Sequence, residues 1–369
     1  MRVLLCGGGT AGHINPAIAV AEELRRISPS SEILFIGREG GRENELVRIR
    51  DIQVKTIRIQ GLRRSLSPKN LKCLVYAIKS KNTAKQIIRE FKPDVILGTG
   101  GYVCWPVISA GRELGIKTAI HESNISPGLT TKLLSRKTDL VLINKEETAE
   151  YLFKKAIIKT VGNPIRADFS KYNRVSARRR LNIKENEFLI VSFGGSIGSE
   201  KMNNVILKMM EEYSSRERNV RHVHAVGRRY YSELKECSFR SERMGCHVLP
   251  YIDDMPLWLS AADIAICRCG AVTLSEICAA GVASILIPSP NVTDNHQYKN
   301  AAYLVGKGGA VLIEEKKLTL ESLNKAVKDL KSDENGRKNR AKILRRLSTP
   351  DAAKNVVNEL FSLTNSAPK

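Results

Sequence analysis

Residues 2–13, RVLLCGGGTAGH, join an apolar run to a glycine-rich turn. The first five of these residues predict a buried strand, and the segment from Asn15, with Pro16 in its first turn, predicts a helix with one apolar face. Glycine lets the backbone between them turn sharply and approach a ligand closely. Because the start of a helix presents unpaired N–H groups and a positive dipole end, this junction predicts an anion or phosphate site with His13 at its rim.

The same alternation of strands and helices continues along the chain. In the first half, strands are predicted at residues 32–37, 53–59, 94–98, 117–121 and 139–143. The pattern breaks at VGNPI, residues 161–165, and a second series begins with FLIVSF, residues 188–193. Its further strands are predicted at residues 220–226, 247–249, 264–267 and 283–287. The chain is therefore predicted to be an α/β protein with two doubly wound parallel sheets, in domains 1–163 and 164–348, followed by a terminal helix within 349–369.

The composition points to anionic partners. With 60 Lys and Arg against 38 Asp and Glu, the formal net charge is +22, which favours nucleic acid, an anionic membrane surface or anionic substrates. No run of eighteen apolar residues is present, so no transmembrane helix is predicted. The eight cysteines lack zinc-ligand spacing and are typical of buried, reduced thiols in a cytoplasmic protein.

One segment concentrates the positive charge. From Ile52 to Arg89 the sequence has ten Lys or Arg and no Asp or Glu. Within it, apolar residues at helical spacing and intervening lysines predict a basic amphipathic helix that carries Leu71, Leu74, Val75 and Ile78, with Lys72 and Lys79. Such a helix either packs on the core with a solvated basic back or docks on an anionic leaflet, where each nearby Lys or Arg adds roughly 1 kcal/mol. The absence of acids favours the membrane.

The opening turn also matches a dinucleotide-binding fingerprint, because Gly7, Gly9 and Gly12 have the spacing G-x-G-x-x-G between a strand and a helix. The acid expected at the end of the second strand is missing, and Arg38, which suits a 2′-phosphate, stands there. An NADP-dependent oxidoreductase is therefore one alternative. A basic nucleic-acid-binding protein is another, although aromatic residues make up only 5% of the chain and such proteins interleave aromatic with basic residues.

The second half offers a more telling set of polar residues. One helix is predicted to open at GGS, residues 194–196, and another at RCGAVTLSE, residues 268–276. The N–H groups at the second helix start suit a pyrophosphate, and Glu276 suits either ribose hydroxyls or simply the positive end of the helix. The tetrapeptide DNHQ, residues 294–297, adds a polar cluster at the same predicted sheet edge. No metal-ligand motif is present, so neither a metal nor another cofactor is predicted.

Eight motifs, in this order and spacing, resemble the bacterial MurG family: GGGTAGHINPAIA, GTGGYV, HESN, VGNPIR, GGSIGS, YIDDM, CRCGAVTLSEI and DNHQYKNA. The resemblance covers about residues 1–360. It implies a GT-B glycosyltransferase fold, in which two Rossmann-like domains face each other across a cleft and the terminal helix packs back on the first domain. It also implies an inverting, metal-independent transfer of GlcNAc from UDP-GlcNAc to the MurNAc C4 hydroxyl of undecaprenyl-pyrophosphoryl-MurNAc-pentapeptide, which completes the lipid-linked peptidoglycan precursor.

The resemblance further implies roles for individual residues. In the first domain, His13 matches the family's candidate base, and Asn124 matches an asparagine close to GlcNAc. The loop that faces the acceptor pyrophosphate and the donor is matched by Thr10, Ala11 and Gly12. On the donor side, Arg166 lies near the cleft, Ser196 contacts phosphate and Ile252 presents its backbone to uracil. The nucleotide-binding helix start consists of Ala271, Val272, Thr273, Leu274 and Ser275. Glu276 then holds the ribose, and Gln297 reads the sugar hydroxyls.

The implied acceptor explains the basic, acid-free segment, because this acceptor is a lipid in an anionic membrane and the segment is suited to bind such a surface. The protein is accordingly expected to be peripheral, on the cytoplasmic face of the bacterial cell membrane, with no nucleic-acid partner. The resemblance also suggests proteins of cell-wall synthesis or division as partners. If His13 is instead a structural residue that caps the opening loop, the base is another group or solvent.

Overall fold

The computed structural model describes residues 1–41, 43–60, 69–195, 197–216, 219–234 and 245–365. Inside these ranges the side chains of residues 11, 43, 69–75, 170 and 213–216 are not described. The chain forms two compact units, Met1–Arg166 together with Thr349–Lys369, and Ala167–Ser348. No helix in the described ranges is both long enough and apolar enough to cross a membrane.

The first unit is built on a parallel sheet with the strand order β3-β2-β1-β4-β5-β6-β7. Its strands are β1 Arg2–Cys6, β2 Glu32–Arg38, β3 Gln53–Ile57, β4 Val95–Gly98, β5 Lys117–Glu122, β6 Leu140–Ile143 and β7 Ile158–Thr160. Its helices include α1 Ala11–Ile27, α2 Glu43–Arg48, α3 Lys69–Phe91, α4 Cys104–Glu113 and α5 Leu129–Leu134.

Both faces of this sheet are buried, so its central strands are apolar throughout instead of alternating with polar residues. Along β1, Val3 and Leu5 point into one apolar layer and Leu4 points into the other. Helix α1 covers the first layer, while α3 and α4 cover the second. The opening strand is therefore the centre of the first unit.

The second unit repeats this plan with the parallel strand order β10-β9-β8-β11-β12-β13. Its strands are β8 Phe188–Phe193, β9 Val220–Ala225, β10 Cys246–Leu249, β11 Ile264–Cys267, β12 Ala283–Leu286 and β13 Ala310–Leu312. Its helices are α6 Arg174–Arg180, α7 Glu200–Arg216, α8 Met255–Ala261, α9 Ala271–Ala280, α10 His296–Gly306, α11 Leu320–Ser332 and α12 Glu334–Leu347. The first strand of each unit thus lies between two neighbours, where a doubly wound sheet reverses its strand order.

The last helix, α13 Ala352–Thr364, belongs to the first unit. Its buried side chains lie in the same apolar layer as α1, and they are Val356, Val357, Leu360 and Phe361. Burial of each such side chain stabilises the fold by about 1.5–3 kcal/mol. The end of the chain is therefore part of the core that surrounds β1.

The predicted α/β class with two doubly wound parallel sheets is confirmed. One predicted boundary is wrong, because α1 begins at Ala11 and not at Asn15. Thr10 is extended and serves as the N-cap residue, and the His13 amide donates to the Thr10 carbonyl at 3.0 Å. His13 therefore lies inside the first helical turn. Strands β7 and β13 have no counterpart among the predicted strands, since three residues are too few to show a period.

Candidate active site

The loops that follow β1 and β4 are bonded to each other at one edge of the first sheet. The Gly8 amide donates to the Gly100 carbonyl at 3.3 Å, and the Thr99 amide donates to the Cys6 carbonyl at 2.8 Å. Because β1 and β4 are neighbouring strands, these loops lie at the switch point where such sheets bind ligands. Thr10 is exposed at the end of the first loop, as a phosphate-facing residue must be.

His13 is held between these two loops. Its carbonyl accepts a hydrogen bond from Thr99 Oγ1 at 2.6 Å. Its ring lies against Gly100, where a Cβ would come within 2.8 Å of His13 Cε1 and closer still to Nδ1. Gly100 also has a φ of +111°, a conformation that glycine tolerates and other residues rarely adopt. The predicted base is therefore anchored by its backbone and packed on a residue that must be glycine.

A second histidine lies close to this site and was not among the predicted site residues. His121 is buried at the end of β5, and its Nε2 donates to the Gly162 carbonyl at 2.9 Å. Burial lowers the pKa of His121 below its ordinary value, although the hydrogen bond to the Gly162 carbonyl and the nearby Glu122 carboxylate oppose this shift. His121 is therefore neutral near pH 7, and a local sequence pattern cannot distinguish it from a core residue.

Asn124 follows β5 and is partly exposed. Its backbone amide and its side-chain Nδ2 both donate to Glu122 Oε1, each at 3.0 Å. The loop after β5 therefore presents Asn124 at the same sheet edge as the loops that hold His13, since carboxyl ends of parallel strands meet there.

In the second unit, α9 begins directly after β11 and has the geometry of an anion site. Its N-cap residue is Gly270, which makes no side-chain capping hydrogen bond, and the first α-helical bond of this start runs from the Leu274 amide to the Gly270 carbonyl at 3.0 Å. The amides of the three residues before Leu274 consequently have no partner within the helix. The side chains of Ala271, Val272 and Leu274 are buried, so these residues can serve a ligand only through the backbone.

The remaining positions of this helix start differ in their side chains. Ser275 Oγ donates to the Ala271 carbonyl at 3.1 Å, whereas Thr273 is partly exposed. Glu276 is only 9% exposed, which is unusual for a carboxylate. An exposed glutamate would interact with the positive end of the helix equally well. The burial of Glu276 therefore indicates a further role for its carboxylate.

Gln297, in the first turn of α10, ties two loops together. Its Oε1 accepts from the Ser289 amide at 2.9 Å and from the Cys269 amide at 3.3 Å. Because both partners are donors, the orientation of the side-chain amide is determined, and Nε2 is the atom that remains for a ligand. Asn300 Nδ2 adds a bond to the Cys269 carbonyl at 3.4 Å. Both the amide and the carbonyl of Cys269, the residue before Gly270, are thereby hydrogen-bonded.

Arg268 is a further site residue that was not predicted. Its Nη1 donates to the Ile287 carbonyl at 3.1 Å, and its Nη2 contacts both Ser199 Oγ and the carboxylate of Glu315. One guanidinium group thus joins the loops that follow β8, β12 and β13. The position of Arg268 within the motif CRCG could have indicated that it belongs to the site. Its binding partners could not be predicted from the motif, because they lie up to 69 residues away.

The other predicted residues are placed as follows. Ile252 is buried, so it can contact a ligand only through its backbone, and Arg166 is partly exposed at the end of the first unit's main segment. Ser196 lies outside the described residues. Of the predicted docking residues, Ile78 is 55% exposed and Lys79 is exposed. The other four lie in α3, but their side chains are outside the description: Leu71, Lys72, Leu74 and Val75.

Within the described ranges, no group of three or more His, Cys, Asp or Glu side chains is arranged to hold a metal ion. The cysteines described there are buried and form no disulfide. Burial raises the pKa of Cys267 to about 12, so this thiol stays protonated at neutral pH. Backbone N–H groups at a helix start and cationic side chains can both stabilise a diphosphate.

Comparison with known proteins identifies two domain models in the chain. Residues 3–143 match the glycosyltransferase family 28 N-terminal domain, and residues 189–356 match the glycosyltransferase family 28 C-terminal domain. Among solved structures, that of Acinetobacter baumannii MurG aligns with a TM-score of 0.77 at 28% identity, covering 98% of this chain and 99% of that one. The predicted two-domain glycosyltransferase fold is confirmed by this alignment.

Relatives match over nearly the whole chain, among them proteins of Thermoanaerobacter sp. strain X514 and Acetivibrio thermocellus. Each is a UDP-N-acetylglucosamine–N-acetylmuramyl-(pentapeptide) pyrophosphoryl-undecaprenol N-acetylglucosamine transferase. The protein of Thermoanaerobacter sp. strain X514 is 40% identical over 368 residues, which cover 99% of this chain and 100% of the relative. The protein of Acetivibrio thermocellus is 38% identical over 356 residues, which cover 96% of each chain. With both family 28 domains present and this identity over its full length, the chain belongs to glycosyltransferase family 28 and, within it, to the MurG family.

Proposed function

We propose that this chain transfers GlcNAc from UDP-GlcNAc to the MurNAc C4 hydroxyl of undecaprenyl-pyrophosphoryl-MurNAc-pentapeptide. Relatives named for this transfer match it over nearly its whole length. The structural observation that carries the proposal is the start of α9, where backbone N–H groups without a side-chain cap precede the buried carboxylate of Glu276. This combination suits a nucleoside diphosphate, because the amides bind the diphosphate and the carboxylate accepts hydrogen bonds from two ribose hydroxyls.

On the donor side, the residues of the second unit hold UDP and stabilise its charge as it leaves. The N–H groups and the positive end of α9 lie where negative charge develops on the diphosphate. Ile252 offers its backbone to uracil, Gln297 offers Nε2 to a sugar hydroxyl, and Ser196 contacts a donor phosphate. Arg166, the last residue of the first unit's main segment, is the proposed donor-side arginine. No step requires a metal ion, since the helix end supplies the positive charge.

On the acceptor side, His13 removes the proton from the C4 hydroxyl of MurNAc as that oxygen attacks C1 of GlcNAc. The new C–O bond forms as the bond from C1 to the diphosphate oxygen breaks, so the configuration inverts and UDP leaves with the electron pair. The loop of Thr10, Ala11 and Gly12 faces the acceptor pyrophosphate, and Asn124 lies beside the transferred sugar. The His13 ring packs with Nδ1 against Gly100, in the loop that follows β4, and we assign proton removal to Nε2.

The proposal is tested by measuring GlcNAc transfer to a lipid-linked acceptor together with UDP affinity by calorimetry. Glu276→Ala should weaken UDP binding, because the ribose loses its acceptor. His13→Ala should abolish turnover and leave the UDP affinity unchanged. Full turnover by His13→Ala would exclude His13 as an essential base. Absence of transfer by the wild-type chain would overturn the proposed function itself.

A thermal-shift experiment separates this function from the two alternatives. UDP should raise the melting temperature, whereas NADPH and an oligonucleotide should leave it unchanged. Stabilisation by NADPH and not by UDP would favour an oxidoreductase. Stabilisation by the oligonucleotide alone would favour a nucleic-acid-binding protein.

We also propose that the protein binds the cytoplasmic face of the cell membrane peripherally, through α3. Two observations support this location: Ile78 and Lys79 are exposed on α3, and the segment from Ile52 to Arg89 has no acid to repel anionic lipid. Each basic residue near such a surface contributes roughly 1 kcal/mol. A prenyl pyrophosphate acceptor resides in the membrane, so docking there raises its local concentration.

Vesicle sedimentation tests the docking face. Replacing Leu71, Leu74, Val75 and Ile78 with Ser should release the protein from vesicles that contain phosphatidylglycerol, with no effect on UDP binding. Ile49→Ser is a matched control, because Ile49 is 74% exposed in the same unit but lies outside α3. Unchanged vesicle binding by the fourfold variant would contradict the proposal.

A further inference from the structure

The carboxylate of Glu122 organises the loop of residues 123–128, which joins β5 to α5. Glu122 Oε1 accepts from Asn124 N and Nδ2, each at 3.0 Å, and Oε2 accepts from the Gly128 amide at 3.1 Å. The residue is only 4% exposed. A buried carboxylate is costly unless its lone pairs are satisfied, and here the loop itself supplies the donors.

Two further polar side chains brace the same loop. Asn144 Nδ2, at the end of β6, donates to the Ser123 carbonyl at 3.0 Å. Thr148 Oγ1 donates to the Asn124 carbonyl at 3.2 Å, and both Asn144 and Thr148 are buried. Three buried polar side chains, those of Glu122, Asn144 and Thr148, thus brace one short loop.

The chemistry of the carboxylate determines which way the Asn124 amide is turned. A carboxylate only accepts hydrogen bonds, so the atom beside it must be Nδ2 and not Oδ1. A neutral Gln at this position would both donate and accept, so it would no longer distinguish Nδ2 from Oδ1 of Asn124. The negative charge of Glu122 therefore selects one of two orientations of the Asn124 amide.

We propose that Glu122 is a positioning residue for glycosyl transfer, which acts through Asn124 by setting the orientation of its amide toward the transferred sugar. This inference rests on the proposed function, since Asn124 is placed beside GlcNAc there. A displaced contact of about 1 Å reduces rates by on the order of 100-fold in enzymes. Loss of the orientation should therefore lower kcat/KM by on the order of 10- to 100-fold, with UDP affinity unchanged.

A double-mutant cycle tests the proposal, with the full chain, UDP-GlcNAc and a lipid-linked acceptor. Glu122→Gln and Asn124→Ala should each lower kcat/KM. The double variant should be no slower than the slower single variant within about threefold, because Glu122 has nothing to orient once the Asn124 amide is gone. Losses that multiply would overturn the proposal, as would wild-type kinetics in Glu122→Gln. Absence of transfer by the wild-type chain would instead overturn the proposed function.

Asp139→Asn is the matched control, because Asp139 is another carboxylate of the same sheet. Its Oδ2 accepts from the Thr118 amide and from Thr118 Oγ1, each at 2.8 Å, at the opposite ends of the strands. This variant should have a lower melting temperature than the wild-type chain and an unchanged kcat/KM. If Glu122→Gln folds poorly, Glu122→Asp replaces it, since it keeps the charge but withdraws the oxygens from Asn124. Wild-type kinetics in Glu122→Asp with a normal melting temperature would then count against the proposal.

Discussion

Gly100→Ala should disable the candidate base without replacing any group that reacts. The new Cβ would stand 2.8 Å from His13 Cε1, whereas ordinary carbon contacts begin at 3.4 Å. The ring must therefore retreat by about 0.6 Å at Cε1, and by more at Nδ1. On the scale of about 100-fold for 1 Å of misplacement, we expect kcat to fall by on the order of 10- to 100-fold. The φ of +111° should add a stability loss of about 1–2 kcal/mol.

The assay is GlcNAc transfer to a lipid-linked acceptor at saturating donor, with UDP affinity and melting temperature measured on the same samples. Gly115→Ala is the matched control, because Gly115 has a φ of +74° but no atom within 4 Å of the added Cβ. It should lose stability without losing turnover. If Gly100→Ala retains kcat within threefold of Gly115→Ala, the packing of His13 on Gly100 does not position a catalytic group.

Three other predictions concern stability and donor binding. Leu360→Ala removes a fully buried side chain of α13 and should lower the free energy of unfolding in urea by about 2–5 kcal/mol; an unchanged midpoint would show that α13 does not belong to the first core. Burial lowers the pKa of His224 to about 4 from 6.5. Because the unfolded chain binds the proton first, the stability is complete above pH 6.5 and falls as the pH is lowered toward 4, by up to about 3 kcal/mol. His224→Gln should flatten that pH profile, and identical profiles would refute the assignment. Gln297→Ala leaves two backbone donors without their acceptor and should cost about 1–3 kcal/mol of stability, whereas Gln297→Glu should restore stability but not the KM for UDP-GlcNAc; recovery of both would mean that Nε2 does not contact the sugar.

Much of the fold is predictable from sequence because its signals are local. The runs RVLLC and FLIVSF are followed by glycines, and each becomes a central strand with a loop at its carboxyl end. The helix that begins at Ala271 and ends before Gly281 is also predictable, since Gly281 adopts the left-handed conformation, with φ of +62°, that terminates helices. The start of α1 is not, because GGGTAG contains residues that are typical of loops, and only the extended conformation of Thr10 sets the boundary.

The candidate site divides in the same way. Residues at a helix start, such as Ala271 and Glu276, can be predicted because they belong to one contiguous motif. Residues that position other residues cannot be predicted in this way, because their partners are distant in sequence. Arg268 pairs with Glu315, and Thr99 binds His13 across 86 positions. Nothing in the tetrapeptide HESN indicates that its second residue is a buried acceptor for its fourth.

The sequence by itself determined the strand–glycine–helix units, the parallel sheets that follow from them, and the family to which the chain belongs. Each of these depends on the spacing of neighbouring residues, which the chain carries directly. Only the tertiary structure decided that His13 rests on Gly100 and that the Glu122 carboxylate accepts hydrogen bonds from Asn124. The contact of His13 with Gly100 arises because β1 and β4, far apart in the chain, become neighbours in the sheet. The bond between Glu122 and Asn124 is local in sequence, but it depends on the burial of Glu122, which no local pattern encodes.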